Sequence, residues 1–301
     1  MFLLAHLTDP HLGPLPVVRK RDLASKRLFG YVNWRRNRAH AFDKEVLAAL
    51  IEDMRAHQPD HVAVTGDLVN LALSEEFVAA HDWLKSLGDP RDVTVIHGNH
   101  DAYVPGALNE LIRIWRHFMS GDDETGEFAR FPFVRRRGPV ALIGMSTAVA
   151  TLPLMATGHI GTDQATALGT QLAKLGDEGL FRVVLIHHPP IGGITAWQRR
   201  LVGAGLFRAE IARHGAELVL HGHNHRTLVA RLAGAKSDVP VVGAAAASIA
   251  PNSHRSGGSY NLFRIEEAGG SFRCTMTERG VRHPGGKVET LSEQVLLGVA
   301  T

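Results

Sequence analysis

Residues 93–101 read Val93-Thr94-Val95-Ile96-His97-Gly98-Asn99-His100-Asp101, an apolar β-branched run that stops at a glycine and three polar side chains. A short run of this kind reads as a buried strand whose end carries a turn. Four other stretches repeat the plan. Phe2–Thr8 runs into Asp9-Pro10-His11, and His61–Thr65 runs into Gly66-Asp67. Arg182–Ile186 runs into His187-His188-Pro189, and Glu217–Leu220 into His221-Gly222-His223-Asn224-His225. Open α/β sheets bind ligands beyond the carboxyl ends of their strands, so five such ends in one core converge on one site.

Outward from these strands the pattern is α/β. Further strands are expected at Val140–Met145, Thr227–Leu232, Val239–Ala244, Tyr260–Glu266 and Ser271–Thr277. Helical periodicity marks Ala41–His57, Ser74–Leu87, Val104–Met119, Thr162–Leu175 and Trp197–His214. Ser74 followed by Glu75 and Glu76 reads as an N-cap with acids in the first turn. Arg135-Arg136-Arg137 is expected to close a strand turn before Gly138-Pro139. No repeat or linker divides the chain. Residues 1–280 read as one domain with a basic, aromatic excursion at about 15–40, and residues 281–301 read as a weakly helical tail.

Composition narrows the class. With 301 residues, 45% of them apolar and 21% charged, the chain can bury a sizeable core. One cysteine, Cys274, excludes a disulfide framework. The longest apolar stretch, Val140–Ala156, is broken by Gly144, Ser146, Thr147 and Pro153 and is too short to span a bilayer. Met1–His6 has no basic leader pattern, so a soluble, cytoplasmic chain is expected. The net charge is only +3, but eight basic residues fall between Arg19 and Arg38 against the single acid Asp22. Leu23, Leu28, Phe29, Tyr31, Val32 and Trp34 are interleaved with them. Two readings fit: an anionic docking surface for substrate or for lipid headgroups at a membrane, with Arg35 and Arg36 as substrate contacts, or a solvated face whose aromatics pack inward. No broad basic surface lies outside this segment, and no nucleic-acid partner is expected.

The convergent set is Asp9, His11, Asp67, Asn99, His187, His223 and His225. It holds too many donors for one tetrahedral zinc. It suits two five- or six-coordinate ions sharing a bridging carboxylate, and mixed carboxylate, imidazole and amide donors without thiolate suit Mn, Fe or Zn. Two such ions lower the pKa of a bridging water and clamp a phosphoryl group for in-line displacement.

Order and spacing resemble the calcineurin-like metallophosphoesterase superfamily, whose signature runs D-x-H, G-D, G-N-H-[DE], H, G-H-x-H. Here these blocks stand as Asp9-Pro10-His11, Gly66-Asp67, Gly98-Asn99-His100-Asp101, His187 and Gly222-His223-Asn224-His225, all in order. The resemblance implies a four-layer α/β/β/α sandwich of two mixed sheets. It implies that Asp9, His11 and His225 hold one metal, that Asn99, His187 and His223 hold the other, and that Asp67 bridges. It assigns His187 rather than His188 as ligand, because the family's ligand stands two residues before a proline; His188 then faces the substrate or caps its loop. His97 and His221, on strand interiors, read as packed or supporting histidines. His100 takes the place of the family's general acid or transition-state hydrogen-bond donor, a role an imidazole suits near neutrality.

The second block departs from the protein-phosphatase branch, which reads G-D-x-V-D-R-G. This chain has Gly66-Asp67-Leu68-Val69-Asn70-Leu71-Ala72, so the acid that supports the catalytic histidine is replaced by Asn70 and the arginine is absent. The orientation of His100 is thereby left to another partner. The sequence is closer to the bacterial branch that hydrolyses phosphodiesters, cyclic nucleotides and glycerophosphodiesters included, by attack of a metal-bridging hydroxide. The alternatives are a pyrophosphatase on a nucleotide-linked lipid precursor of the UDP-diacylglucosamine type, a phosphomonoesterase, and a non-catalytic scaffold of the same fold.

Overall fold

All ten expected strands are present in the computed structural model, which describes residues 1–124, 126, 129–252 and 256–298. In chain order the strands are β1 (Phe2–Leu7), β2 (His61–Thr65), β3 (Val93–Ile96), β4 (Phe133–Arg137), β5 (Val140–Gly144), β6 (Gly158–His159) and β7 (Phe181–Leu185). There follow β8 (Leu201–Val202), β9 (Leu218–His221), β10 (Leu228–Leu232), β11 (Val239–Gly243), β12 (Ser259–Ala268), β13 (Ser271–Val281) and β14 (Val288–Leu297). The helices are α1 (Arg27–Asn33), the single turn α2 (Ala39–Ala41), α3 (Lys44–Ala56), α4 (Ser74–Leu87), α5 (Ala107–Trp115), α6 (Thr162–Asp177) and α7 (Ala204–His214).

Two mixed six-stranded sheets form, ordered β14-β13-β12-β1-β2-β3 and β10-β11-β9-β7-β5-β4. In the first, β1, β2 and β3 run parallel while β12 returns antiparallel to β1. In the second, β5, β7, β9 and β11 run parallel. Strand alternation shares the second sheet's side chains between two cores. Leu142, Val183, Leu185, Leu218 and Leu220 join the core that holds the first sheet. Ala141, Ile143, Val184, Ile186 and Val219 join the core under α6 and α7, with Leu168, Leu172, Phe207 and Ile211. Burial on both faces is why these strands read as continuous apolar runs. Phe181 of β7 meets Phe272 of β13 edge to face across the two sheets, with centroids 5.3 Å apart. On the outer side of the first sheet, α3 buries Val46, Leu47, Leu50, Ile51 and Met54, and α4 buries Phe77, Ala80 and Leu84. The layers are therefore α/β/β/α.

Several local expectations are corrected. The stretch read as a weakly helical tail contains β14, which pairs antiparallel with β13 from Val281↔Val288 to Cys274↔Leu297 and closes the edge of the first sheet. Trp197–His214 is not one helix: a 3-10 turn at Trp197–Arg199 leads into β8, which pairs with β6, and Gly203 at φ 82° turns the chain into α7. The helix expected from Val104 begins at Ala107, after Gly106 at φ 85°. The 41–57 helix begins at Lys44, where the Asp43 side chain accepts the Glu45 N–H, whereas Arg135-Arg136-Arg137 ends β4 directly before the Gly138-Pro139 turn into β5, as expected. The N-cap of α4 is Leu73 rather than Ser74, and its N–H donates to Glu76. The excursion is a 3-10 turn at Lys20–Leu23, then α1, a π turn at Trp34–Arg38 and α2.

Candidate metal centre

Strands β1, β2, β3, β7 and β9 end on one rim, and tight backbone turns bring their next residues together. A Cβ at Gly98 would stand 2.5 Å from the Asp67 backbone nitrogen and overlap its carboxylate, and one at Gly222 would overlap the Thr8 side chain and the Asp9 carboxylate. The glycines of the G-N-H and G-H-x-H blocks are thus required by close approach. Five candidate ligands occupy left-handed backbone although none is glycine: Asp9 (φ 50°), His11 (39°), Asp67 (55°), His223 (71°) and His225 (53°). Each such conformation costs on the order of 1–3 kcal/mol and persists only where the surroundings hold it. Here Asp9 N–H donates to Gly66 O (3.0 Å), His11 N–H to Asp67 O (3.1 Å) and His223 N–H to the Asp9 carboxylate (3.0 Å). The buried Asp101 carboxylate accepts the N–H groups of Asp67, Leu68, Val69 and Gly98 at 2.7–3.0 Å and cradles both the G-D and the G-N-H turns.

The seven candidates fall into two adjoining groups. The donor atoms of Asp9, His11, Asp67 and His225 lie within 4.8 Å of one another. Beside them, Asn99 Oδ1 lies 2.7 Å from His223 Nδ1 and 3.3 Å from His187 Nε2. Asp67 Oδ2 stands between the groups, 4.0 Å from His11 Nε2 and 3.5 Å from His187 Nε2. Three imidazoles are oriented alike: His11 Nδ1 donates to Val69 O, His187 Nδ1 to Thr65 O and His223 Nε2 to Arg199 O. Each thereby turns its other ring nitrogen toward the cluster, the arrangement that outer hydrogen bonds impose on ligating histidines.

The donor set fits divalent cations. Asp9 Oδ1 is buried and accepts no hydrogen bond, and it lies 3.2 Å from His225 Nε2. An unpaired buried carboxylate oxygen is costly unless a cation faces it. Burial, then the nearby Arg38, pushes the His11 pKa well down, and burial also lowers His223, so both are neutral and able to ligate. Burial acts downward on His187 too, but the Asp67 carboxylate outweighs it and raises the pKa to about 9.

His100 lies at the edge of this cluster. Its backbone N–H donates to Asp67 Oδ1 (2.7 Å), its ring stacks on Tyr103 with centroids 5.4 Å apart, and its Nδ1 lies 2.7 Å from the Asn70 carbonyl oxygen. That carbonyl is held by Glu76, whose carboxylate accepts the N–H groups of Asn70, Leu71 and Leu73. His188 is fully buried, with Nδ1 against Thr147 Oγ1 (2.8 Å) and Nε2 against Ala156 O (3.2 Å), so it ties down the 147–156 loop. His97 meets Ser146 and Phe131, and His221 meets the Gly222 carbonyl; both are buried.

The basic segment divides. Arg35 and Arg36 are exposed, Arg35 lying 6.0 Å over the Tyr31 ring, and the arginine that reaches the cluster is Arg38. Its Nη1 stands 3.2 Å from His100 Nδ1, and its guanidinium lies over Phe42, whose ring is 4.6 Å from that of His11. Lys26 turns inward onto Tyr103 and the 151–155 loop, and Arg27 onto the Leu71 and Ala72 carbonyls. Leu28, Phe29 and Val32 remain exposed. Among the described residues no helix is long and apolar enough to cross a membrane.

Several known proteins resemble this chain in sequence or fold. A glycerophosphodiester phosphodiesterase, GpdQ of Enterobacter lignolyticus, is 27% identical over 189 residues, covering 63% of this chain and 57% of that protein. A probable cyclic nucleotide phosphodiesterase of Synechococcus is 26% identical over 188 residues, covering 60% and 64%. The match thus spans less than two thirds of either relative. The fold is shared with a dimetal phosphatase from Danio rerio, at TM-score 0.57 and 12% identity over 97% of this chain and 98% of that one. It is shared also with a purple acid phosphatase from yellow lupin, at TM-score 0.54 and 12% identity over 93% and 51%. The calcineurin-like phosphoesterase family profile matches residues 2–227, and the chain belongs to that family.

Proposed function

We propose that this protein hydrolyses phosphodiesters at a dinuclear metal centre. The observation that carries the reading is the position of Asp67 Oδ2 between two donor groups on different strand ends. In this assignment Asp9, His11 and His225 would hold one ion, Asn99, His187 and His223 would hold the other, and Asp67 would serve both. When bound, such a pair supplies Lewis acidity, acidifying a water and offsetting phosphoryl charge. Mn, Fe and Zn all suit these donors.

The chain's own residues do the rest. In this reading Arg38, whose guanidinium stands beside His100, pairs with a phosphoryl oxygen in place of Arg35 and Arg36. His100 commits Nδ1–H to the Asn70 carbonyl, which leaves Nε2, unprotonated in the free protein, to take up a proton from solvent when the anionic substrate binds and to give it to the leaving oxygen. Burial and then the Arg38 charge lower the His100 pKa to about 3, and an anionic substrate on Arg38 offsets the second of these effects. The diester preference is supported by the two relatives, whose names are those of phosphodiesterases. The outward half of the 19–38 excursion, with Leu28, Phe29 and Val32 exposed among Lys20, Arg21, Arg35 and Arg36, suits contact with an anionic lipid surface.

The test is a paired assay on metal-stripped protein reloaded with Mn²⁺, using bis-p-nitrophenyl phosphate and p-nitrophenyl phosphate. Higher kcat/KM on the diester is expected, and a monoester preference refutes the diesterase reading.

A further inference from the structure

A cavity of about 640 Å³ shares a wall with the metal centre: His11 and Arg38, both beside the cluster, line it. Its body is formed by Leu12, Trp34, Phe42, Leu47, Ile51 and Trp83, from the loop after β1, the excursion, α3 and α4. Several of the polar side chains along it are committed elsewhere, while Lys44 is exposed at its rim and the buried Ser248 Oγ has no partner among the described residues. Asp43 caps α3 through the Glu45 N–H, and Arg55 donates to the Ser86 carbonyl at the far end. A nucleoside or a bare glycerol would ask such a pocket for converging hydrogen-bond partners, and this one offers mainly hydrocarbon and aromatic walls. A chain running from a phosphoryl group at Arg38 into this cavity would bury apolar surface along its whole length.

We infer that the substrate is an amphiphilic phosphoester whose hydrocarbon chain occupies this cavity while its phosphoryl group lies at Arg38 and the metal cluster. The inference rests on the phosphoesterase reading of that cluster and deepens it by naming the substrate class. Ala48 is exposed and lines the cavity from α3, so it can be enlarged without disturbing the core.

The experiment measures binding of butyl, octyl and dodecyl phosphate to the whole metal-free protein by calorimetry, below their micellar concentrations. Affinity is expected to rise roughly two- to fourfold for each methylene that enters the cavity. Ala48→Trp, which fills the cavity, and Ala48→Glu, which charges it, are each expected to flatten that rise. Equal affinity for the three phosphates, or a chain-length gain that survives both substitutions, overturns the inference. So does tighter binding of uridine monophosphate than of dodecyl phosphate. Turnover of bis-p-nitrophenyl phosphate by the Mn²⁺-loaded wild type separates the two levels. A flat profile with full turnover removes the chain pocket alone, whereas chain-dependent binding without any turnover removes the phosphoesterase reading and, with it, the assignment of the chain to a substrate.

Discussion

The Nδ1 atom of His100 lies 2.7 Å from the carbonyl oxygen of Asn70, so a backbone group orients this imidazole where the protein-phosphatase pattern would use an acid. The asparagine side chain is engaged elsewhere, with Nδ2 donating to the Leu12 carbonyl at 2.9 Å. What fixes the carbonyl is Glu76, through three backbone N–H bonds.

Turnover should therefore respond to His100 and Glu76 more than to the Asn70 side chain. His100→Ala is expected to lower kcat by about 10²–10⁴ with metal content unchanged, the usual range for a positioned proton-transfer group. Glu76→Gln, which loses acceptors for the 70–73 loop, should lower kcat roughly tenfold and shift its pH profile, as loss of an outer orienting group does. Asn70→Ala should change kcat little. Steady-state kinetics on bis-p-nitrophenyl phosphate decide, and a larger loss from Asn70→Ala than from Glu76→Gln contradicts the backbone account.

Close approach at Gly98 gives a second expectation. A methyl there meets the Asp67 backbone, which cannot move without shifting the turn. Gly98→Ala should lose most of the bound metal and lower Tm. Gly192→Ala, where a Cβ meets nothing within 4 Å, should lose neither. Metal analysis alongside thermal unfolding checks the pair, and full metal content in Gly98→Ala speaks against the proposed bridging role of Asp67.

Much of this site was legible in the sequence because parallel strands buried on both faces leave uninterrupted apolar runs, and the polar residues beyond them stand out. The edge strand β14 was not legible. Its Glu289, Ser292, Glu293 and Gln294 face solvent, and what makes it a strand is pairing with β13, a tertiary contact that local periodicity does not carry. Leu201–Val202 carries no local strand signal for the same reason, since its partner Gly158–His159 is far away in the chain. Arg38 was hidden among equivalent-looking arginines, because the π turn at Trp34–Arg38 decides which of them turns inward. Glu76 read as a dipole-stabilising acid, and only the conformation of the preceding loop shows that it binds three backbone N–H groups.

Acid should destabilise the fold through buried neutral histidines. His61 of β2 is pushed down to about 3 by burial first and then by Arg137 and Arg135, and its Nε2 lies 2.7 Å from Thr94 Oγ1. Its pKa is lowered on folding, so between about 6.5 and about 3 the unfolded chain binds the extra proton. The stability this provides is complete above pH 6.5 and is lost as pH falls toward 3. From pH 7 to pH 5 the loss from this group is about 2 kcal/mol, and His61→Gln should remove that part of the pH dependence. Urea unfolding of both proteins at the two pH values measures it; parallel losses would show that His61 is not the titrating group.

The exposed apolar and basic face of the excursion should bind anionic vesicles. Leu28→Ser with Phe29→Ser is expected to weaken co-sedimentation with phosphatidylglycerol vesicles severalfold, and raised salt should weaken it further. Wild-type protein that stays in the supernatant at low salt would count against this contact.

The central claim is a two-ion centre built from Asp9, His11, Asp67, Asn99, His187, His223 and His225. Its most direct measurement is the Mn²⁺ content of stripped and reloaded wild-type protein, by elemental analysis after removal of free ion. Two ions per chain is the expected result, and one ion or none would contradict the account.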